Sequence, residues 1–196
     1  FGAANASVKG FSRVLFNTNA ALAALTGAFA VREITTSIME FEKFTNTLRT
    51  VSSTSGEFQR NLQFLTSEAN RVGFSVGEVG NSFARLSLAM KGAGFSGDET
   101  RTSFTQLTEA ARNFGLSSAD TMGVIRALEQ SMSKGKFMAE EVRLQLGDRL
   151  PIAMAALDKA VTIVDGRQAD LNKRFEEGSI DVKRYGLEFI RQINLM

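Results

Sequence analysis

The sequence contains neither cysteine nor histidine among its 196 residues. Without cysteine there are no disulfides, thiolate nucleophiles or cysteine-ligated metal sites, and without histidine the commonest metal ligand and general base are missing. Most hydrolase mechanisms are therefore disfavoured, and we expect no catalytic residue, no bound metal and no cofactor. Tryptophan is absent and tyrosine occurs once, whereas phenylalanine occurs 16 times, so the aromatic side chains are expected to serve packing.

Proline is scarce, and neither sign of charge dominates. The chain has one proline, where average usage predicts about ten, and this favours helices over rigid loops. The 23 basic and 21 acidic residues leave a net charge of +2 and are mixed along the chain. This balance indicates no basic patch, so we expect no specific nucleic-acid binding.

The first part of the chain is rich in alanine and contains an uncharged stretch, residues 14–31, between Arg13 and Arg32. That length reaches the minimum for a membrane-spanning helix, but polar residues interrupt the stretch and much of the rest is alanine. We predict a long N-terminal helix over residues 1–52, packed through its alanines, with membrane insertion as the alternative. The chain starts at Phe1 and stops within an apolar pattern, which indicates a piece of a longer protein.

A 21-residue repeat dominates residues 53–134. In each copy a glycine suited to a left-handed helix end is followed by an apolar residue, a capping serine and, three places later, an acidic residue. The predicted helix caps are Gly73, Ser75 and Glu78, then Gly94, Ser96 and Glu99, then Gly115, Ser117 and Asp120. Thr54 to Glu57 form an earlier, degenerate copy. These glycines lack the Gly-Lys-Ser/Thr ending of a phosphate-binding loop, so we interpret them as caps.

Apolar residues repeat in the same register and place one stripe on each helix. The leucines of this stripe are Leu65, Leu86, Leu107 and Leu128. Four helices of about 15 residues, joined by tight turns, predict an all-α fold, an antiparallel array or bundle of short helices behind the long N-terminal helix. A solenoid in which two copies form one helical hairpin is the competing arrangement.

Residues 135–196 break the repeat register, and we predict that they continue the same domain as a helical segment with a distinct motif. A short helix is expected from Ala139 to Leu146, followed by a turn and a helix that begins at Pro151. Glu140 and Glu141 are adjacent on a helix and do not face each other, so they are not expected to act as an acid–base pair. Salt bridges to nearby Lys and Arg residues, or solvation, are the expected roles of these carboxylates.

Residues 133–151, from Ser-Lys-Gly through Glu-Glu-Val and Gln-Leu to Leu-Pro, closely resemble the signature of the tape measure domain of tailed-bacteriophage tape measure proteins. Val142 replaces the usual leucine, and Ile152 stands where glycine commonly follows the proline. The resemblance covers about residues 40–180. The candidate partner-contact residues are Lys134, Gly135, Lys136, Glu140, Glu141, Gln145, Leu150 and Pro151.

The resemblance implies a structural protein of the virion that takes part in tail assembly and tail-length determination and leaves the tube before DNA ejection. Tail-tube proteins, tail-tip proteins and tail assembly chaperones are the implied partners, and several copies of the chain are expected in the tail. The implied location is the tail lumen or tip, and the host cytoplasm during assembly. A membrane-active segment is the main alternative, and a cell-wall-cleaving enzyme that depends on Glu140 is a third.

Overall fold

The computed structural model describes residues 42–196, and this part of the chain is helical. Its residues Lys43–Met196 form one compact unit. Apart from an isolated antiparallel bridge between Lys136 and Asp181, the described residues contain no β-structure, so the all-α prediction is confirmed. After helical residues 42–51 come α1 (Ser55–Val72), α2 (Val76–Gly92), α3 (Gly97–Asn113), α4 (Ser118–Lys134), a π-helix (Glu141–Leu146), α5 (Ala153–Asp165), α6 (Leu171–Glu176) and α7 (Val182–Leu195).

The predicted long N-terminal helix falls mostly on residues 1–41, which lie outside the described residues. Residues 42–51 of that prediction are helical. The uncharged stretch 14–31 also lies outside the described part. From residue 42 onward, none of the helices combines the length and apolar character needed to cross a bilayer.

Serine side chains begin three of the helices. The side chains of Ser75, Ser96 and Ser117 each accept a hydrogen bond from the backbone N–H three residues later, at distances of 3.1 to 3.2 Å. Glu99 completes a capping box, because its carboxylate accepts the backbone N–H of Ser96 at 2.7 Å. Asp120 is one methylene shorter, and its carboxylate accepts the hydroxyl of Ser117 instead, at 2.6 Å. Local side-chain chemistry thus sets where each helix starts.

Helices α1, α2 and α3 each end at a glycine in the left-handed conformation. Gly73, Gly94 and Gly115 have φ values of 75°, 86° and 66°. In each case the N–H of the following residue reaches back to a carbonyl in the last helical turn, as in the bond of 2.9 Å from Phe95 to Met90. These bonds satisfy carbonyls that a helix end otherwise leaves without donors.

The helices stack in two layers with a 42-residue spacing. Neighbours in sequence run antiparallel, since Glu57 at the start of α1 lies 3.2 Å from Lys91 at the end of α2. Alternate helices run parallel, because Arg101 donates to Asn61 at 2.6 Å and Thr108 donates to Glu68, both 40 positions apart. Each hairpin therefore consists of two copies of the 21-residue repeat.

The apolar stripe of the repeats forms the core between the layers. Its four leucines, Leu65, Leu86, Leu107 and Leu128, have no solvent exposure. Phenylalanines from α1, α2 and α3 meet beside them: the rings of Phe64 and Phe83, and those of Phe83 and Phe104, have centroids 5.4 Å apart. The sequence repeat thus becomes a repeated packing contact.

Helix α7 extends the layer that contains α1 and α3, although it lies outside the repeat. The Lys183 ammonium lies 4.1 Å from the centre of the Phe95 ring, at the start of α3. At the other end, Asn194 lies 3.5 Å from Glu109, so α7 runs parallel to α3. A contact between the rings of Phe137 and Phe189, 5.0 Å apart, joins α7 to the residues that precede the π-helix.

Candidate partner-contact site

The motif that follows the repeats forms a widened helix. Residues 139 and 140 start a helical turn that continues as the π-helix Glu141–Leu146. The N–H of Gly147 donates to the carbonyl of Val142, five residues earlier, at 3.1 Å. We predicted a short helix here, and the structure differs in its winding. Such segments are rare and occur frequently at functional sites.

Gly147 is needed because the chain folds back closely on itself at the end of the π-helix. A Cβ atom at this position would lie 2.2 Å from the carbonyl oxygen of Arg143. The conformation of Gly147 is an ordinary right-handed one, with φ of −61°, so space and not the backbone angle excludes a side chain. The winding of the motif thus depends on this glycine.

The two adjacent glutamates of the motif have opposite environments. Glu141 is 1% exposed and accepts a hydrogen bond from the ammonium of Lys134, at the end of α4. This bond raises the pKa of Lys134. The second carboxylate oxygen of Glu141 has no hydrogen-bond partner among the described residues. Glu140 is exposed to solvent, so it is the acidic group of the pair that a partner protein could reach.

An open groove of about 530 Å³ lies between the π-helix and α6. Charged side chains of both signs line it, together with apolar ones. Arg143 bridges the two elements, because its guanidinium donates to Asn172 and lies 5.7 Å from the centre of the Phe175 ring. The lining residues include Lys134, Met138, Glu140, Glu141, Arg143 and Glu176. Such a mixed surface suits a peptide or protein segment better than a small apolar ligand.

The remaining candidate residues do not join this groove. Gly135 ends α4 with φ of 74°, and its carbonyl accepts the N–H of Val182 at 3.1 Å. Lys136 is exposed, and its backbone forms the isolated β-bridge with the backbone of Asp181. Gln145 lines a second groove on another face. The structure therefore brings together only Lys134, Glu140 and Glu141 of the predicted set.

The end of the motif has a structural role. Leu150 is fully buried, and Pro151 is exposed in a turn. Helix α5 begins at Ala153, two residues after the proline, so Pro151 precedes the helix and does not start it. A hydrogen bond of 2.9 Å from the N–H of Ala153 to the carbonyl of Leu150 closes this turn.

A polar cluster beneath α7 carries no signal in the sequence, and we did not predict it. Asp165 accepts hydrogen bonds from Tyr185 at 3.0 Å, from Arg184 at 2.8 Å and from Arg174. Burial by itself would raise the pKa of Asp165, but these hydrogen bonds and the charge of Arg174 lower it. The members lie 9 to 20 positions from Asp165 in sequence, so no local spacing indicates their contact.

Similarity to a known family extends over most of the folded array. No curated protein and no solved structure matches the chain. A family of sequences described as "Tape measure protein" matches residues 32–188, which include all four capped helices, the π-helix and the start of α7. Tape measure proteins are structural components of the phage tail. On this match, the chain belongs to the tape measure protein family.

Proposed function

We propose that this chain is a compact assembly module of a tail tape measure protein and that it acts in tail assembly and tail-length determination. The observation that carries the proposal is the family match over residues 32–188, which spans the folded helical array. The role is structural and requires no catalysis. The proposed locations are the tail lumen or tip in the virion and the host cytoplasm during assembly.

The dimensions of the helices suggest that the ruler itself lies outside this array. The longest helix described, α1, has 18 residues, which correspond to about 27 Å at 1.5 Å per residue. A single straight helix of the whole chain would span about 300 Å. Because the array folds its helices back on one another, we assign it to the recognition of other tail proteins and not to the measurement of length.

The proposed contact surface is the groove beside Glu140, which we name the motif groove. Glu140 and Arg143 are exposed at its edge, whereas Glu141 is buried and paired with Lys134. We therefore assign partner contact to Glu140 and Arg143, and support of the fold to Glu141. A tail assembly chaperone, a tail-tip protein, a tail-tube protein or another copy of the chain is the proposed partner.

Tail yield and tail length, measured together, test this proposal. Glu140→Lys, introduced into the full tape measure protein of the phage, reverses a charge at the edge of the motif groove without touching the core. We expect fewer assembled tails, while electron microscopy shows that the tails that form keep the parental length. Melting of the purified chain should be unchanged, because Glu140 is exposed.

Glu177→Lys is the matched control. Glu177 is also an exposed acid and neighbours Glu176, but it does not line the motif groove. This variant should assemble tails at the parental yield. A parental yield for Glu140→Lys would remove the assigned contact, and a change in tail length would contradict the separation of module and ruler.

A further inference from the structure

A second groove, of about 550 Å³, lies on another face, between α2, α4 and the end of the π-helix. It shares no lining residue with the motif groove. Three arginines line it, Arg85 from α2, Arg126 from α4 and Arg149 from the turn after the π-helix, against one carboxylate, that of Glu129. We name it the arginine groove.

Two of these arginines have no acceptor within residues 42–196. Arg85 and Arg126 are exposed, and neither makes a hydrogen bond or an ion pair there. They lie 41 positions apart on parallel helices, close to the 42-residue hairpin spacing, so they occupy neighbouring positions on one face. The fold thus places two guanidinium groups that form no ion pair in the lining of one groove.

The third arginine is held in place by its neighbours. A guanidinium nitrogen of Arg149 donates to the carbonyl of Gln145 at 3.0 Å, and its Nε lies 3.7 Å from Asp120. Its side chain crosses α4 directly over Gly123, where a Cβ atom would lie 2.3 Å from Nε. The absence of a side chain at Gly123 therefore lets Arg149 form one wall of the groove.

The chemistry of the groove fits the carboxylates of a peptide. Guanidinium groups bind carboxylates and phosphates in a planar, two-pronged geometry. Apolar side chains, among them Met122, also line the groove and offer a contact for an aliphatic side chain. Nucleic acid fits less well, since the net charge of +2 provides little attraction for a phosphate backbone and no aromatic side chain lines the groove for base stacking.

We propose that the arginine groove binds an acidic segment of a partner protein, with two carboxylates of the segment on Arg85 and Arg126 and an apolar side chain between them on Met122. The groove volume is that of a few side chains, so the segment is short. This recognition is independent of Glu140 and the motif groove.

The test uses the 196-residue chain and a short labelled peptide. The glutamates of this peptide are spaced three and four positions apart, and a leucine lies between them. Fluorescence anisotropy at low salt should show binding that weakens as salt is added. Arg85→Glu combined with Arg126→Glu should weaken binding by about tenfold or more, because it replaces attraction with repulsion. Arg85→Gln with Arg126→Gln should give a smaller loss, and it remains informative if the doubly reversed chain does not fold.

Arg60→Glu combined with Arg112→Glu is the matched control, since these arginines are also exposed and lie outside the groove. This pair changes the net charge equally and should alter binding by less than about twofold. Equal losses in both double variants would show a non-specific charge effect and overturn the proposal. Absence of peptide binding, or displacement of the peptide by a lower concentration of duplex DNA, would overturn it as well.

Discussion

The repeat region, residues 53–134, and the motif segment, residues 135–196, are both helical, but they differ in how regularly their helices are capped. In the repeats, a serine starts each of α2, α3 and α4, and a left-handed glycine follows each of α1, α2 and α3, through bonds that span three to five residues. In the motif segment, Asp170 and Asp181 cap α6 and α7 in a similar way, but the π-helix has no side-chain cap. A cluster at Asp165 also joins residues up to 20 positions apart. Side-chain caps thus occur in both regions, whereas the irregular π-helix forms without one.

The two regions nevertheless belong to one compact unit. Helix α7 lies parallel to α3, as α1 does on its other side, so the motif segment occupies the place of a further hairpin arm. A chain can therefore leave its repeat and still continue the array, provided that the apolar stripe of the next helix fits. The π-helix then adds a feature that the repeats do not have, the motif groove.

The largest effect on stability is expected in the motif segment, where there is no room for a side chain at Gly147. Gly147→Ala should lower the free energy of unfolding by about 3 kcal/mol, because the new Cβ atom would meet the carbonyl oxygen of Arg143 at 2.2 Å. Urea denaturation measures this loss. Gly77→Ala is the control, since a Cβ atom added there would have no other atom within 4 Å, and it should change stability by less than about 0.5 kcal/mol. Similar values for the two variants would show that the π-helix does not require Gly147.

A smaller effect is expected in the repeats, where backbone conformation and not space is limiting. Gly115 has φ of 66° and no atom within 4 Å of an added Cβ. Gly115→Val should cost about 1 to 2 kcal/mol of unfolding free energy, and Gly115→Asn less, since asparagine tolerates the left-handed region. Thermal melting distinguishes the two. Equal costs for valine and asparagine would contradict the role assigned to the left-handed turn.

These two glycines show what the sequence could and could not reveal. Gly115 stands in a repeated pattern of glycine, serine and acid, so its place at a helix end follows from neighbours within six residues. Gly147 has no such pattern, because its requirement arises from the winding of the π-helix. The all-α fold followed from the repeat and the scarcity of proline, and the family from residues 133–151.

The sequence could not divide the motif into exposed and buried residues. Glu140 and Glu141 are chemically identical neighbours, and only the structure shows that Glu141 is the buried one and is paired with Lys134. The arginine groove was equally hidden, since Arg85 and Arg126 come together only through the parallel packing of α2 and α4. Their spacing of 41 residues becomes meaningful once the 42-residue hairpin is known.

The smallest effects on stability are expected when the pH is lowered, and they should appear in both regions. Hydrogen bonds within the capping box, from the backbone and then the side chain of Ser96, lower the pKa of Glu99. The cluster around Asp165 lowers the pKa of that carboxyl below its ordinary value of 3.8. A group with a lowered folded-state pKa stabilises the protein above its unfolded-state pKa, and this contribution disappears as the pH falls through the folded-state pKa.

Asp165→Asn should therefore be less stable than the parent at neutral pH, and the difference should shrink as the pH falls below about 4. Glu99→Gln should behave in the same way, starting nearer pH 4.5, its ordinary value. Urea denaturation over a pH series measures both differences. A difference that stays constant down to about pH 3 would contradict the assigned hydrogen bonds.

The most direct test of a single continuous array compares two optical probes of the same unfolding reaction. The chain has one tyrosine, Tyr185 in α7, and no tryptophan, so its intrinsic fluorescence reports on the motif segment alone. Circular dichroism reports on all helices. We predict that the fluorescence and the circular dichroism signals change with the same midpoint urea concentration, because α3 and α7 pack together. A tyrosine transition that precedes the loss of helix, with most helicity retained, would show that the motif segment folds separately and would contradict the account.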